Sequence, residues 1–122
     1  NSTLRDMGRF AMLFTPSWNK ISEEQIIPAS LIDTIQHGGK PEIYLKGFVG
    51  KEMQASFPDI KGLANRYQWD IVFPDGDFYK GGVGGQGIYI SPSADTVVVW
   101  FSTGKQQEEV MARTIVKALA NK

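Results

Sequence analysis

Between Gly81 and Gly87 five of seven residues are glycine, and the run passes directly into the strand-like Ile88-Tyr89-Ile90. Glycine costs backbone entropy on ordering and offers no side chain to pack. A concentration of it at one strand entrance has two readings. The strand end is bulged or mobile, or something approaches its backbone closely. Either way the segments on both sides must place that entrance.

From Arg66 the hydrophobic period is two. Tyr67, Trp69, Ile71 and Phe73 alternate with Gln68, Asp70 and Val72, which predicts a strand with one better-buried face. Pro74-Asp75-Gly76-Asp77 is a turn, and Phe78-Tyr79-Lys80 leads into the glycines. Gly85 to Ile90 is predicted as the next strand. Ser91-Pro92-Ser93-Ala94-Asp95 makes a hairpin connection, and Thr96 to Phe101 is a third strand, apolar enough to be central and buried on both faces.

Upstream, residues 1–14 read as a helix. Thr3 and Asp6 have capping-box spacing, and Leu4, Met7, Gly8 and Ala11 form one line widened by Phe10, Leu13 and Phe14. Thr15 to Lys20 breaks the pattern. Pro28 is placed to open a second helix that runs to His37 and stops at Gly38-Gly39. Within 40–65, Tyr44, Leu45, Phe48 and Val49 fit a short helix that Gly47 and Gly50 weaken. Thr103 with Gln106 repeats the capping spacing before a last helix with the stripe Ala112, Ile115, Val116 and Leu119. The expected fold is α+β: one domain over 1–122, helical over 1–65, then a three-stranded antiparallel meander covered by a C-terminal helix over 66–122.

Thirteen basic residues balance thirteen acidic ones, so no electrostatic footprint for nucleic acid or an anionic membrane is present. Without cysteine there is no disulfide or thiolate metal site, and one histidine argues against a histidine-based one. No apolar run approaches the roughly 20 residues that cross a bilayer. No cofactor or metal is expected.

Tyr67-x-Trp69, Gly76-x-Phe78-x-x-Gly81, the run Gly82 to Pro92, and Asp95-x-Val97-Val98-Val99 together resemble the C-terminal part of the serine β-lactamase-like hydrolases. The similarity is to the branch with 6-aminohexanoate-oligomer hydrolases, esterases and class C β-lactamases. Leu4 to Phe10 followed by Gln25-Ile26-Ile27-Pro28 is similar to the helix-loop-helix before that sheet. Such enzymes use a Ser-x-x-Lys helix, a Tyr-x-Asn or similar pair, and a Lys-Thr-Gly or His-x-Gly strand. Lys80-Gly81-Gly82 matches the third, and the resemblance makes the Val83 backbone N–H the oxyanion donor. It also puts Gly81, Gly84, Tyr67 and Trp69 on the substrate side. Gly81 replaces a hydroxyl residue common among the relatives, which points to an ester or amide rather than a β-lactam. Gly84 stands where close relatives often carry histidine. The resemblance implies a bacterial cytoplasmic or periplasmic setting.

The remaining motifs have only look-alikes. Ser17-Trp18-Asn19-Lys20 has Ser-x-x-Lys spacing but lies in a Pro-led turn, and Tyr89-Ile90-Ser91 falls on a strand and its turn. His37 is read as a cation at a helix C-terminus, Glu23-Glu24 as solvated, and Trp18, Trp69 and Trp100, on their residue type alone, as core. The resemblance places the nucleophile helix upstream of Asn1, so this chain holds half a site. Two hypotheses stand: the C-terminal part of a serine hydrolase, inactive alone and acting on a small ester or amide when completed, or a stand-alone binding domain that has lost the chemistry. An open sheet edge or uncovered face predicts a homodimer or a complex with an upstream fragment. The isolated chain is expected to leave p-nitrophenyl esters and nitrocefin unhydrolysed above buffer, since an oxyanion donor without a nucleophile has nothing to act on. Turnover in a colorimetric assay, whether kept or lost in Ser17→Ala, would contradict this.

Overall fold

Thr3 caps the first helix as the sequence predicts. Its side chain accepts the Asp6 N–H at 3.1 Å, the Asp6 carboxylate accepts the Thr3 N–H, and helix α1 runs Leu4–Met12. A computed structural model describes residues 2–104 and 107–122. The helix is shorter than the expected 1–14, and Pro16–Lys20 forms a single 3-10 turn after it. Pro28 is the N-cap of α2 (Ala29–His37) rather than its first residue. The short helix expected around 44–49 is two helices, α3 (Pro41–Tyr44) and α4 (Phe48–Ser56), parted at Gly47.

The sheet has four antiparallel strands in sequence order, not three: β1 (Ile71–Val72), β2 (Phe78–Gly82), β3 (Gln86–Ser91) and β4 (Thr96–Phe101). The segment read as a lead-in, Phe78 to Lys80, is itself half of a strand. The strand predicted from Arg66 begins only at Ile71, because Tyr67 and Gln68 turn into left-handed backbone at φ 48° and 67°. β4 is the sheet's edge, not its centre, and its residues are half-buried except the exposed Phe101.

Both faces of the sheet are covered, which explains the apolar run in β4. Val97 and Val99 face the α1–α2 layer with Phe78 and Ile90, where Phe14, Trp69 and Phe78 meet edge to face at 4.6–5.8 Å. Val98 and Trp100 face the opposite layer with Ile71, Phe73, Tyr89 and the buried side of α5 (Glu108–Ala120). That side is Glu109, Ala112 and Val116; Ile115 and Leu119, expected on it, are 41% and 51% exposed. The capping pair proposed for α5 falls on Gln106, outside the described residues, and Gln107 stands at the N-cap without a side-chain cap.

One buried charge ties α5 to the sheet. The Asp77 carboxylate is fully buried, accepting the Ser91 hydroxyl at 2.6 Å and the Tyr89 hydroxyl at 2.7 Å. Lys117 Nζ lies 2.8 Å from it, and Arg113 bridges Tyr89 and Asp75 while its guanidinium sits over the Phe73 ring. Gly76, at φ 86°, supplies the left-handed step that carries the chain from Asp75 to Asp77.

Burial works against ionisation of Asp75, but hydrogen bonds from Arg113 and Lys117 outweigh it and hold its carboxyl below the usual range. A depressed carboxyl contributes stability above its unfolded pKa of about 3.9, and that contribution is lost as pH falls through the folded value. Urea midpoints are therefore expected to fall below about pH 4. Asp75→Asn is expected to lower stability at neutral pH and to flatten that acid limb.

Candidate functional site

The glycines at the end of the β2–β3 hairpin owe much of their abundance to the protein's own aromatics. Gly81 pairs with Gly87, and Gly87 with Trp100, in one row across three strands. A Cβ at Gly87 would overlap the Trp100 indole, and one at Gly81 would overlap the Tyr79 hydroxyl. The Tyr79 and Trp100 rings are parallel within 3°, their centroids 5.7 Å apart. Close approach is thus the correct reading of this strip, and on the α5 side the approaching group is Trp100.

The outer edge of β2 is organised by Asp70. Its carboxylate takes the Lys80 ammonium at 2.6 Å on one oxygen and the Gly81 N–H at 2.8 Å on the other. Its N–H donates to the Tyr79 carbonyl at 2.9 Å, and the Tyr44 hydroxyl donates to its carbonyl. Tyr79 and Gly81 therefore turn their backbone groups away from β3, toward β1 and the space beyond it. β1 ends opposite Tyr79, so past that point Asp70 stands where a strand would.

Lys80, Gly81 and Gly82 lie together on this edge beside a cleft of about 920 Å³ that Tyr79, Trp100 and the first turn of α5 also line. Val83 is at the hairpin tip and 99% exposed; among the described residues no backbone hydrogen bond is formed by its N–H. Gly84, at φ 92°, follows it, and a side chain there would point into open space. Tyr67 and Trp69 are elsewhere. They line an apolar groove on the α1–α2 side with Phe10, Phe14 and Ile88, and Lys80 is the residue common to groove and cleft. Trp69 is buried and Tyr67 is 58% exposed, with the Arg66 guanidinium 5.2 Å above its ring.

The look-alike motifs are structural in their contacts. The Ser17 hydroxyl donates to Asp95 at 2.6 Å, and Ser17 N–H to the same carboxylate at 2.9 Å. This anchors the 3-10 turn to the β3–β4 connection, which is the opposite end of β3 from Gly81–Gly87. The hydrogen bond from the Ser17 hydroxyl outweighs burial and holds the Asp95 carboxyl below its ordinary range. Tyr89 and Ser91 are fully buried on Asp77, and burial followed by the Asp77 charge raises the Tyr89 phenol far above the usual value. His37 is exposed and meets Asp33 one turn back at 2.9 Å.

Sequence reading missed Asp70 and Glu109. Asp70 sat on the polar positions of a supposed strand. Glu109 is 8% exposed on α5 and lines the cleft; nothing local marks a glutamate for burial. No family model matches the chain, and neither does any curated protein or solved structure.

Gly87→Ala is expected to displace the Trp100 ring and to cost about 1–3 kcal/mol of stability. Urea denaturation followed by tryptophan fluorescence measures it. Unchanged stability and emission would show that the indole does not rest on Gly87.

Proposed function

We propose that this chain supplies the sheet side of a serine ester or amide hydrolase site of the β-lactamase-like type. The nucleophile and its base come from a Ser-x-x-Lys helix outside these residues. The observation that carries the reading is the β2 edge, where Lys80-Gly81-Gly82 runs beside a cleft with the Val83 amide outside the hydrogen-bonded ladder. In this role Val83 N–H donates to the developing oxyanion. Lys80, held by Asp70, places an ammonium group at the edge of the site. Gly81 and Gly82 let the scissile group lie against the strand, and the groove at Tyr67 and Trp69 takes the apolar part of the substrate. The β4 edge is then the place where a further strand, from a second copy or an upstream segment, extends the sheet.

Catalysis of this kind rests on a donor fixed before the charge develops. Removing one such donor lowers kcat by about 10²–10³. In the hydrolase that joins this chain to its nucleophile helix, Val83→Pro deletes the N–H and is expected to lower p-nitrophenyl ester turnover by about that factor. Val83→Ala keeps the N–H and, at so exposed a position, is expected to leave turnover unchanged. A folded Val83→Pro enzyme with full activity would rule out the oxyanion role.

A second reading, a binding domain without chemistry, is favoured by the coverage of both sheet faces by the chain's own helices.

A further inference from the structure

The cleft beside β2 has a strongly one-sided charge. Among the described residues four carboxylates line it, from Glu52 on α4, Asp70, and Glu108 and Glu109 on α5, against the one ammonium of Lys80. Two of these carboxylates are already engaged locally, since Asp70 pairs with Lys80 and Glu108 accepts the Ser102 hydroxyl at 2.8 Å. Glu109 differs. It is more than nine-tenths buried, yet among the described residues it has no hydrogen-bond or ion-pair partner. The side chain lines the cleft beside Tyr79, Trp100 and Gly81.

An unpaired carboxylate withdrawn from water is costly. Its place in the first turn of α5 offsets part of that cost, as helix N-termini favour acids, but supplies no cation. Tyr79 senses the same field. Burial first, then the charges of Glu109, Asp70, Glu108 and Glu52, push its phenol well above the ordinary value. The other wall is aromatic, formed by the parallel Tyr79 and Trp100 rings. Carboxylate and aromatic surface in one cleft is the combination that recognises an ammonium or guanidinium group. A bare metal ion does not fit, because among the described residues no three acidic or histidine side chains converge as metal ligands do.

We propose that this cleft is a binding site for an organic cation, a primary ammonium or guanidinium on a short chain, with Glu109 as its counter-charge and Tyr79 and Trp100 as its aromatic wall. The proposal goes beyond the hydrolytic reading and stands whether or not β2 takes part in hydrolysis.

The test is a nitrogen-15 and proton NMR titration of the 122-residue chain with n-butylammonium chloride at fixed ionic strength, with n-butanol and sodium butyrate as matched probes. Saturable shifts are expected at the Trp100 indole N–H and at the Gly81 and Gly85 amides with n-butylammonium alone. Glu109→Gln, which keeps the shape and removes the charge, is expected to weaken that binding at least about tenfold with the spectrum otherwise preserved. The absence of saturable shifts overturns the proposal, as do equal shifts with n-butanol or butyrate, or an unchanged affinity in folded Glu109→Gln. If that variant does not fold, the three-probe comparison on the parent chain decides alone.

Discussion

The buried Asp77 carboxylate is the point on which the packing of this chain turns. Three separate elements meet there: the β1–β2 turn that carries it, Tyr89 and Ser91 of β3, and Arg113 and Lys117 of α5. Each pair arrives by its own periodicity. Residues 89 and 91 share a sheet face at a spacing of two, and residues 113 and 117 share a helix face at a spacing of four. Sliding α5 by one residue would withdraw both cations and leave a carboxylate in the core. An ion pair of this kind contributes little net stability, because desolvation cancels much of its attraction, but breaking it by removing one partner costs about 3–5 kcal/mol. Its consequence here is a single register for α5 on the sheet.

That anchoring sets up the opposite end of β2. With α5 fixed from Arg113 onward, its first turn is held over Gly81 and Trp100, and Glu109 is carried inward with it. The two ends of the layer thus differ in kind. At one end every charge is answered by another. At the other, Asp70 answers Lys80 and the Gly81 amide, while Glu109 is left facing the cleft. The asymmetry follows from connectivity rather than from local preference, since a glutamate two residues into a helix is ordinarily solvated.

Features encoded by near neighbours were legible in the sequence. The Thr3–Asp6 cap, the end of α2 at His37, and the turn at Pro74 to Asp77 depend on contacts within a few residues. The period-two pattern located β3 and β4. It failed for β2, because Lys80-Gly81-Gly82 has no side-chain alternation to read. It overextended β1, because Tyr67 and Gln68 have strand-like composition but left-handed backbone. The apolar run of β4 predicts a central strand, yet two covered faces are compatible with its edge position; face burial and edge pairing are separate constraints. At the site, Lys80, Gly81 and Gly82 were visible as a motif. Their partner Asp70 was not, since its role depends on β1 stopping opposite Tyr79.

The glycine strip shows why the motif and the architecture must be read together. Five glycines at one strand entrance invite a ligand on either face. On the α5 face, however, the Trp100 indole already lies over Gly87 and the Tyr79 hydroxyl over Gly81, so the backbone there is covered by the protein itself. A group approaching the backbone of β2 can reach it only along the outer edge, between Asp70 and the exposed Val83 tip, or from the side of Lys80. The aromatic cover thereby closes the α5 face of the strip and leaves its outer edge and its Lys80 side open. It also places an aromatic wall beside that edge without spending a loop to build it. For any ligand of this cleft, polar contacts come from the strand edge and from α5, and apolar contact from the two rings.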